Sequence, residues 1–237
     1  MKKSFTANES VMIAQYQGLN VNELDTLNLL LSGKSISRYG DGEFELISGN
    51  SIAFQKRNTE LATRLNNILY SENECLVAIP NLNNISSNKL NYWSGRIEHY
   101  ASLLNPTKVY HSSFVSRPDH IPEIDNEKFF RTFIEIWKNK PVIFLIGDGP
   151  EDETHFSNAP SLFSDASRHK IWRLPSKNAF KEYDTILSRC LSEPKDSIFC
   201  ISLGPTASVL SFDLSNEGFQ AIDAGSFPRF YNWRISS

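Results

Sequence analysis

Cysteine is scarce in this 237-residue chain, and the three that occur, Cys75, Cys190 and Cys200, form no CxxC pair. An odd count without short spacing excludes a disulfide framework. The five histidines are dispersed, none at ligand spacing from a cysteine, which argues against a zinc site. The thiols read as buried and reduced, the state expected in a cytosolic protein. Long apolar runs are missing too: the longest, 142–146, is far too short to span a bilayer. Met1-Lys2-Lys3 leads into polar residues and not into the apolar core of a signal peptide, so a cytoplasmic protein is expected, with peripheral membrane association left open. Positive charge is not in excess. A net charge of −3 and a pI near 6.0 give no field that favours nucleic acid. Linkers, repeats and low-complexity runs are absent, since the 11 glycines and 11 prolines are scattered. What remains is ordinary globular material, 40% hydrophobic and 22% charged, enough for one domain over 1–237 with 1–20 as an N-terminal extension. Self-association stays open.

Short β-rich apolar runs alternate with helical patterns along this domain. Strands are expected at 35–39, 75–80, 108–114, 142–147, 170–174, 197–203 and 220–223. Between them, Leu61, Leu65, Ile68 and Leu69 follow helical spacing behind Asn58 as N-cap, and Phe129, Phe130, Phe133, Ile134 and Trp137 form another apolar face. Ala179, Phe180, Tyr183, Ile186, Leu187 and Cys190 form a third. Pro205 opens a further helix that Gly218 closes. The alternation predicts an α/β, Rossmann-like fold: a mostly parallel sheet with helices on both faces. Ligands bind beyond the carboxyl ends of such strands, so the loops 40–43, 147–158 and 204–206 are expected to converge there.

Three stretches carry chemistry. In Arg38-Tyr39-Gly40-Asp41-Gly42-Glu43-Phe44, extended geometry would project Asp41 and Glu43 to one side, where two hard carboxylates suit Mg²⁺ or Mn²⁺. Leu203-Gly204-Pro205-Thr206 is a strand-to-helix junction whose free N–H groups and Thr206 hydroxyl can hold a phosphate or ribose oxygen. Pro175-Ser176-Lys177-Asn178 repeats that arrangement, with Ser176 as N-cap and Lys177 as a cation for a diphosphate. The acidic loop after the fourth strand offers Asp148, Glu153 and His155 as general bases. Tyr92, Trp93 and Trp233 can stack on a base or sugar. The plainer reading of each stretch is a capped turn, a solvated charge run or a core aromatic.

Ser37 to Phe44, then Phe54-Gln55 and 76–80, resemble the start of the GT-D-fold glycosyltransferases, a family that includes a glucosyltransferase of streptococcal adhesin glycosylation. Pro175 to Phe180 with Tyr183-Asp184 is similar to its central motif. Leu203 to Ala207, Asp213-Leu214, Gly218 and Ala221-Ile222-Asp223 are similar to its third. The resemblance runs in order from about residue 35 to 233. It implies a metal site at Asp41 and Glu43 and a nucleotide-sugar donor, UDP-glucose in the best-known member. Arg38, Gly40, Gly42, Ser176, Lys177, Asn178, Gly204, Pro205, Thr206 and Asp223 are then the expected substrate-binding residues. The acceptor would be a glycan, a glycoprotein or a lipid-linked oligosaccharide of surface-polysaccharide or glycoprotein assembly. Two stretches depart from the pattern: acidic 148–158 replaces a Gly-rich segment with an arginine, and Phe230-Tyr231-Asn232-Trp233 replaces acids flanking a terminal aromatic. A nucleotide-sugar hydrolase and a non-catalytic nucleotide-sugar or glycan-binding module are the alternatives.

Overall fold

The computed structural model describes residues 7–83, 92–93, 95–117, 120, 125–157 and 160–235. Its strands are β1 (Ile36–Arg38), β2 (Leu76–Ile79), β3 (His111–Ser112), β4 (Pro141–Gly147), β5 (Arg168–Leu174), β6 (Ile198–Ser202) and β7 (Gln220–Asp223). They form one seven-stranded sheet in the order β3-β2-β1-β7-β6-β4-β5, and every pairing is parallel. All seven positions expected from the sequence hold a strand. The third is much shorter than expected, because the chain turns at once into a 3₁₀ turn over Ser113–Ser116.

Helices cover both faces, and the pleat decides which residues meet them. Ile143 and Leu145 of β4 pack with Phe199 and Ile201 of β6 in one core. Val142, Phe144 and Ile146 join Ile198 and Cys200 in the other. This two-residue alternation lets one apolar run feed two layers. The first core is covered by α4 (Thr59–Tyr70), α8 (Tyr183–Leu191) and α9 (Pro205–Asn216). The second is covered by α2 (Glu23–Leu31), α6 (Asn126–Ile134) and α10 (Phe227–Ile235). Near the N-terminus, α1 (Ala7–Gly18) sets Tyr16 into the first core near α5 (Ile97–Ser102). Asn58 caps α4 through the Leu61 N–H at 2.8 Å, as its position predicts. Pro205 stands at the start of α9, and Gly218 follows its end with φ of 81°. The three cysteines are buried and unpaired. Among the described residues no helix is long and apolar enough to cross a membrane.

Two expectations are corrected. The Asp41-Gly42-Glu43 stretch does not continue β1 but opens α3 (Asp41–Ile47). Gly40 is the extended cap, and the Glu43 carboxylate turns back to accept its N–H at 2.7 Å, half of a capping box. The acidic stretch after β4 is likewise a helix, α7 (Pro150–Ser157), with proline at its first position and acids in its first turn.

The sheet has one weak seam. β1 and β7 share a single Cα pair, Ile36 with Ile222, whereas β4 and β5 share seven. Side chains supplement that seam: the buried Ser35 hydroxyl donates to the Phe219 carbonyl at 3.1 Å and accepts the Ala221 N–H at 2.9 Å. Ser35→Ala strands both backbone groups, so urea denaturation should show a loss of about 1–3 kcal/mol. An unchanged midpoint would mean the seam holds without this bridge.

Candidate active site

The connection leaving β4 runs outward to β5, while the one leaving β6 runs the other way to β7. Neighbouring strands whose connections diverge leave a crevice at their carboxyl ends. Here that crevice is one cleft of two lobes. The switch-point lobe, about 400 Å³, is lined by residues including Asp152, His155, Ser176, Ser202 and Arg229. The acidic lobe, also about 400 Å³, is lined by Arg38, Asp41, Glu43, Glu45, Arg117 and Asp223 among others. Phe54, Gly204, Gly225 and Ser226 border both.

The acidic lobe is built on a buried ion pair. Arg38 at the end of β1 directs Nη1 toward Asp223 Oδ1 at 3.5 Å and donates Nε to the Ser113 carbonyl at 2.8 Å. Asp223 Oδ2 accepts the Arg38 backbone N–H at 3.2 Å and lies 3.0 Å from the Ser208 hydroxyl of α9. Their side chains are 12% and 5% exposed, so each charge depends on the other for its solvation. Gly225, with φ of 51°, leaves room for the guanidinium; a Cβ there would collide with Arg38 Nη1.

Beside this pair sits Glu43. Burial, then the negative charge of Asp223, push its carboxyl up to about 7, against the Gly40 N–H and Arg38. Burial raises Asp223 as well, with Arg38 opposing. Asp41 lies on a different side of the helix start, since residues two apart are about 200° apart around a helix. It accepts a hydrogen bond from the Tyr92 hydroxyl, whose ring is stacked beneath Arg96 with 4.0 Å from guanidinium to centroid. The two carboxylates border one lobe from different directions. Among the described residues no group of three or more histidines, cysteines or acids converges as metal ligands.

The expected substrate residues divide. Arg38, Gly40, Gly42, Gly204 and Asp223 line the acidic lobe, and Ser176 and Gly204 line the other. Gly204 takes φ of 55° at the cap of α9, and a Cβ there would stand 2.6 Å from the Phe54 ring. Pro205 and Thr206 are buried and line neither lobe; among the described residues the Thr206 hydroxyl has no hydrogen-bond partner. Ser176 is not an N-cap: its N–H donates to Asp148 Oδ1 at 2.9 Å, and the following 3₁₀ turn is capped by Asn178. That bond holds the exposed Asp148 carboxyl below its usual range, which makes it a loop tether and a poor base. Lys177 is exposed and lines neither lobe. His155 lines the switch-point lobe, while the side chains of Glu153 and Trp233 lie outside the described residues. Trp93 is a core residue.

Sequence reasoning missed Asp152 and Arg229, and it met Phe54 only within the family resemblance, with no role. Asp152 and His155 are three apart and share a helix face, a signal hidden while their segment was read as a loop. Burial raises the Asp152 carboxyl above its usual value.

Fold and cleft together define an α/β protein of the doubly wound kind with a cleft at the sheet's carboxyl edge. Residues 36–236 match the family model described as "Glycosyltransferase GT-D fold", and the chain belongs to that family. It is 31% identical over 216 residues to "Probable glycosyl transferase Gly" of Streptococcus gordonii, covering 86% of this chain and 31% of that relative. It is 28% identical over 233 residues to "Glycosyltransferase GlyD" of Streptococcus pneumoniae serotype 4, covering 93% and 28%. The chain thus spans less than a third of the length of these curated relatives. Among solved structures it superposes with a TM-score of 0.85 on a domain of unknown function 1792 described as having a distinct glycosyltransferase fold. Identity there is 32%, with 96% of this chain and 86% of that one covered. A Streptococcus sanguinis structure described as a new glycosyltransferase gives a TM-score of 0.81 at 29% identity, covering 92% and 84%.

The raised Glu43 carboxyl generates a pH prediction. Its folded pKa of about 7 lies above the ordinary 4.5, so the folded state holds the extra proton and loses stability as pH rises from 4.5 to 7. Glu43→Gln removes this loss and keeps an oxygen for the Gly40 N–H. In chelator, the variant should melt higher at pH 8 by the equivalent of about 1–3 kcal/mol, with the gain shrinking toward pH 4.5. A variant less stable at pH 8 would show that Glu43 serves the fold as an anion.

Proposed function

We propose that this domain transfers a sugar from a nucleotide-sugar donor, a UDP-sugar foremost, to a glycan, glycoprotein or lipid-linked acceptor, with Mn²⁺ or Mg²⁺ in the acidic lobe. The observation that carries the reading is the presence of Asp41 and Glu43 on one lobe, from different directions, where burial and repulsion from Asp223 hold Glu43 near 7. A site that crowds carboxylates at the cost of their ionisation suits a divalent cation, which restores the charged forms. Asp41 and Glu43 would hold the ion, leaving its other positions to water and donor phosphates. When bound, the ion neutralises charge that develops on the departing diphosphate.

The chain's own groups supply the rest. Arg38, fixed by Asp223 and Ser113, keeps a positive charge at the floor of the acidic lobe. At the start of α9, Pro205 has no N–H and the Ala207 N–H already donates to the Gly204 carbonyl at 2.8 Å, so the Thr206 N–H is the helix-start group that would serve a phosphate oxygen. Asp152 and His155 line the switch-point lobe and can take a proton from an acceptor hydroxyl there.

The test is release of nucleoside diphosphate from a panel of nucleotide sugars, with and without Mn²⁺ and an acceptor mixture. Sugar should leave the donor only with metal and reach the acceptor. Asp41→Asn and Glu43→Gln should each lower turnover more than the ~10–100-fold that loss of an outer-shell partner costs a metal site. Full turnover in both variants would overturn the metal assignment. Sugar released to water alone would make the domain a hydrolase.

A further inference from the structure

Phe54 borders both lobes and is 45% exposed, yet its backbone is held as firmly as a core residue's. Ile52 and Gln55 close a tight turn around it, with N–H to carbonyl distances of 2.9 and 3.3 Å. Asn178 clamps the same turn twice: its N–H donates to the Phe54 carbonyl at 2.8 Å, and its Oδ1 accepts the Lys56 N–H at 2.8 Å. To do so Asn178 adopts the left-handed conformation, φ 55° and ψ 40°, which is uncommon outside glycine and which asparagine tolerates better than most residues. One part of the ring lies on Gly204, close enough that any Cβ there would clash, and the rest faces the cleft.

An apolar ring fixed this way in a polar cleft contributes little to the core and much to a planar ligand. Its position is informative. On one side stand Asp41 and Glu43, on the other Ser176 and Ser202, and Gly204 at the start of α9 lies against the ring. A ligand that matches all three has a diphosphate, a flat apolar face and polar ring edges. We propose that Phe54 is the nucleobase platform of the cleft, stacking on the base while Ser176 and Ser202 face its edge in the switch-point lobe; this rests on the nucleotide-sugar donor proposed above. Asn178 is then a positioning residue that acts through Phe54, and the clamp is the reason for its left-handed backbone.

The experiment is calorimetric titration of wild type, Phe54→Ala and Phe54→Trp in Mn²⁺ with UDP, GDP, UDP-glucose and inorganic pyrophosphate. Base–aromatic stacking predicts that Phe54→Ala weakens nucleoside diphosphates about 10- to 100-fold while pyrophosphate is unchanged. Phe54→Trp should bind within about threefold of wild type, since the larger ring keeps the stacking face. Equal losses for UDP and pyrophosphate would overturn the proposal in favour of collapse of the Gly204 turn. A loss confined to UDP-glucose would overturn it in favour of a sugar platform. If wild type binds UDP and Phe54→Ala binds it equally well, the platform fails while the donor reading stands. Absence of any nucleotide binding by wild type would remove both.

Discussion

The Arg38–Asp223 pair is the interaction on which the rest depends. It joins the two halves of the sheet where backbone pairing is thinnest, between β1 and β7. Removing one partner of a buried pair costs about 3–5 kcal/mol, because the other charge is left without solvation. The same pair forms the floor of the acidic lobe. Fold and site are therefore not separable here: the group that closes the sheet also sets the charge that Glu43 experiences.

A second network holds α9, the helix whose start divides the two lobes. Arg64 of α4 pairs with Asp213 of α9 and lies 4.2 Å over the Tyr183 ring of α8, and the Tyr183 hydroxyl also donates to Asp213. Tyr183 and Asp213 belong to stretches that stand out in the sequence, yet neither lines the cleft. They act on it by fixing where Gly204 sits. Motif residues of this kind support the cleft through a helix and do not line it.

The strands were legible because each is a short apolar run between turn residues, and β4, buried at all seven positions, was the plainest. The helix caps Asn58 and Pro205 were legible because their chemistry is local. Asp41-Gly42-Glu43 was misread because two glycines loosen the expectation of a helix, although Glu43 three residues after Gly40 is itself a helix-start signal. The acids after β4 were misread for a similar reason: proline followed by carboxylates marks the first turn of a helix as well as a solvated loop. Phe54 and Asn178 both stood in stretches that resemble the family, but nothing local joined one to the other. They lie far apart in sequence, and only the folded chain brings the clamp to the ring.

The seam has one more consequence. Asp41 and Glu43 follow β1 on one side of it, while Gly204, Ser176 and Ser202 belong to the half built on β7, β6, β4 and β5. The width of the cleft therefore reads out how tightly the seam is shut. Any molecule long enough to touch both lobes also acts as a brace across it, shielding the Arg38 amide, which donates to Asp223 across the seam, from exchange with solvent. Occupancy of the cleft is in this way written into the mechanics of the sheet.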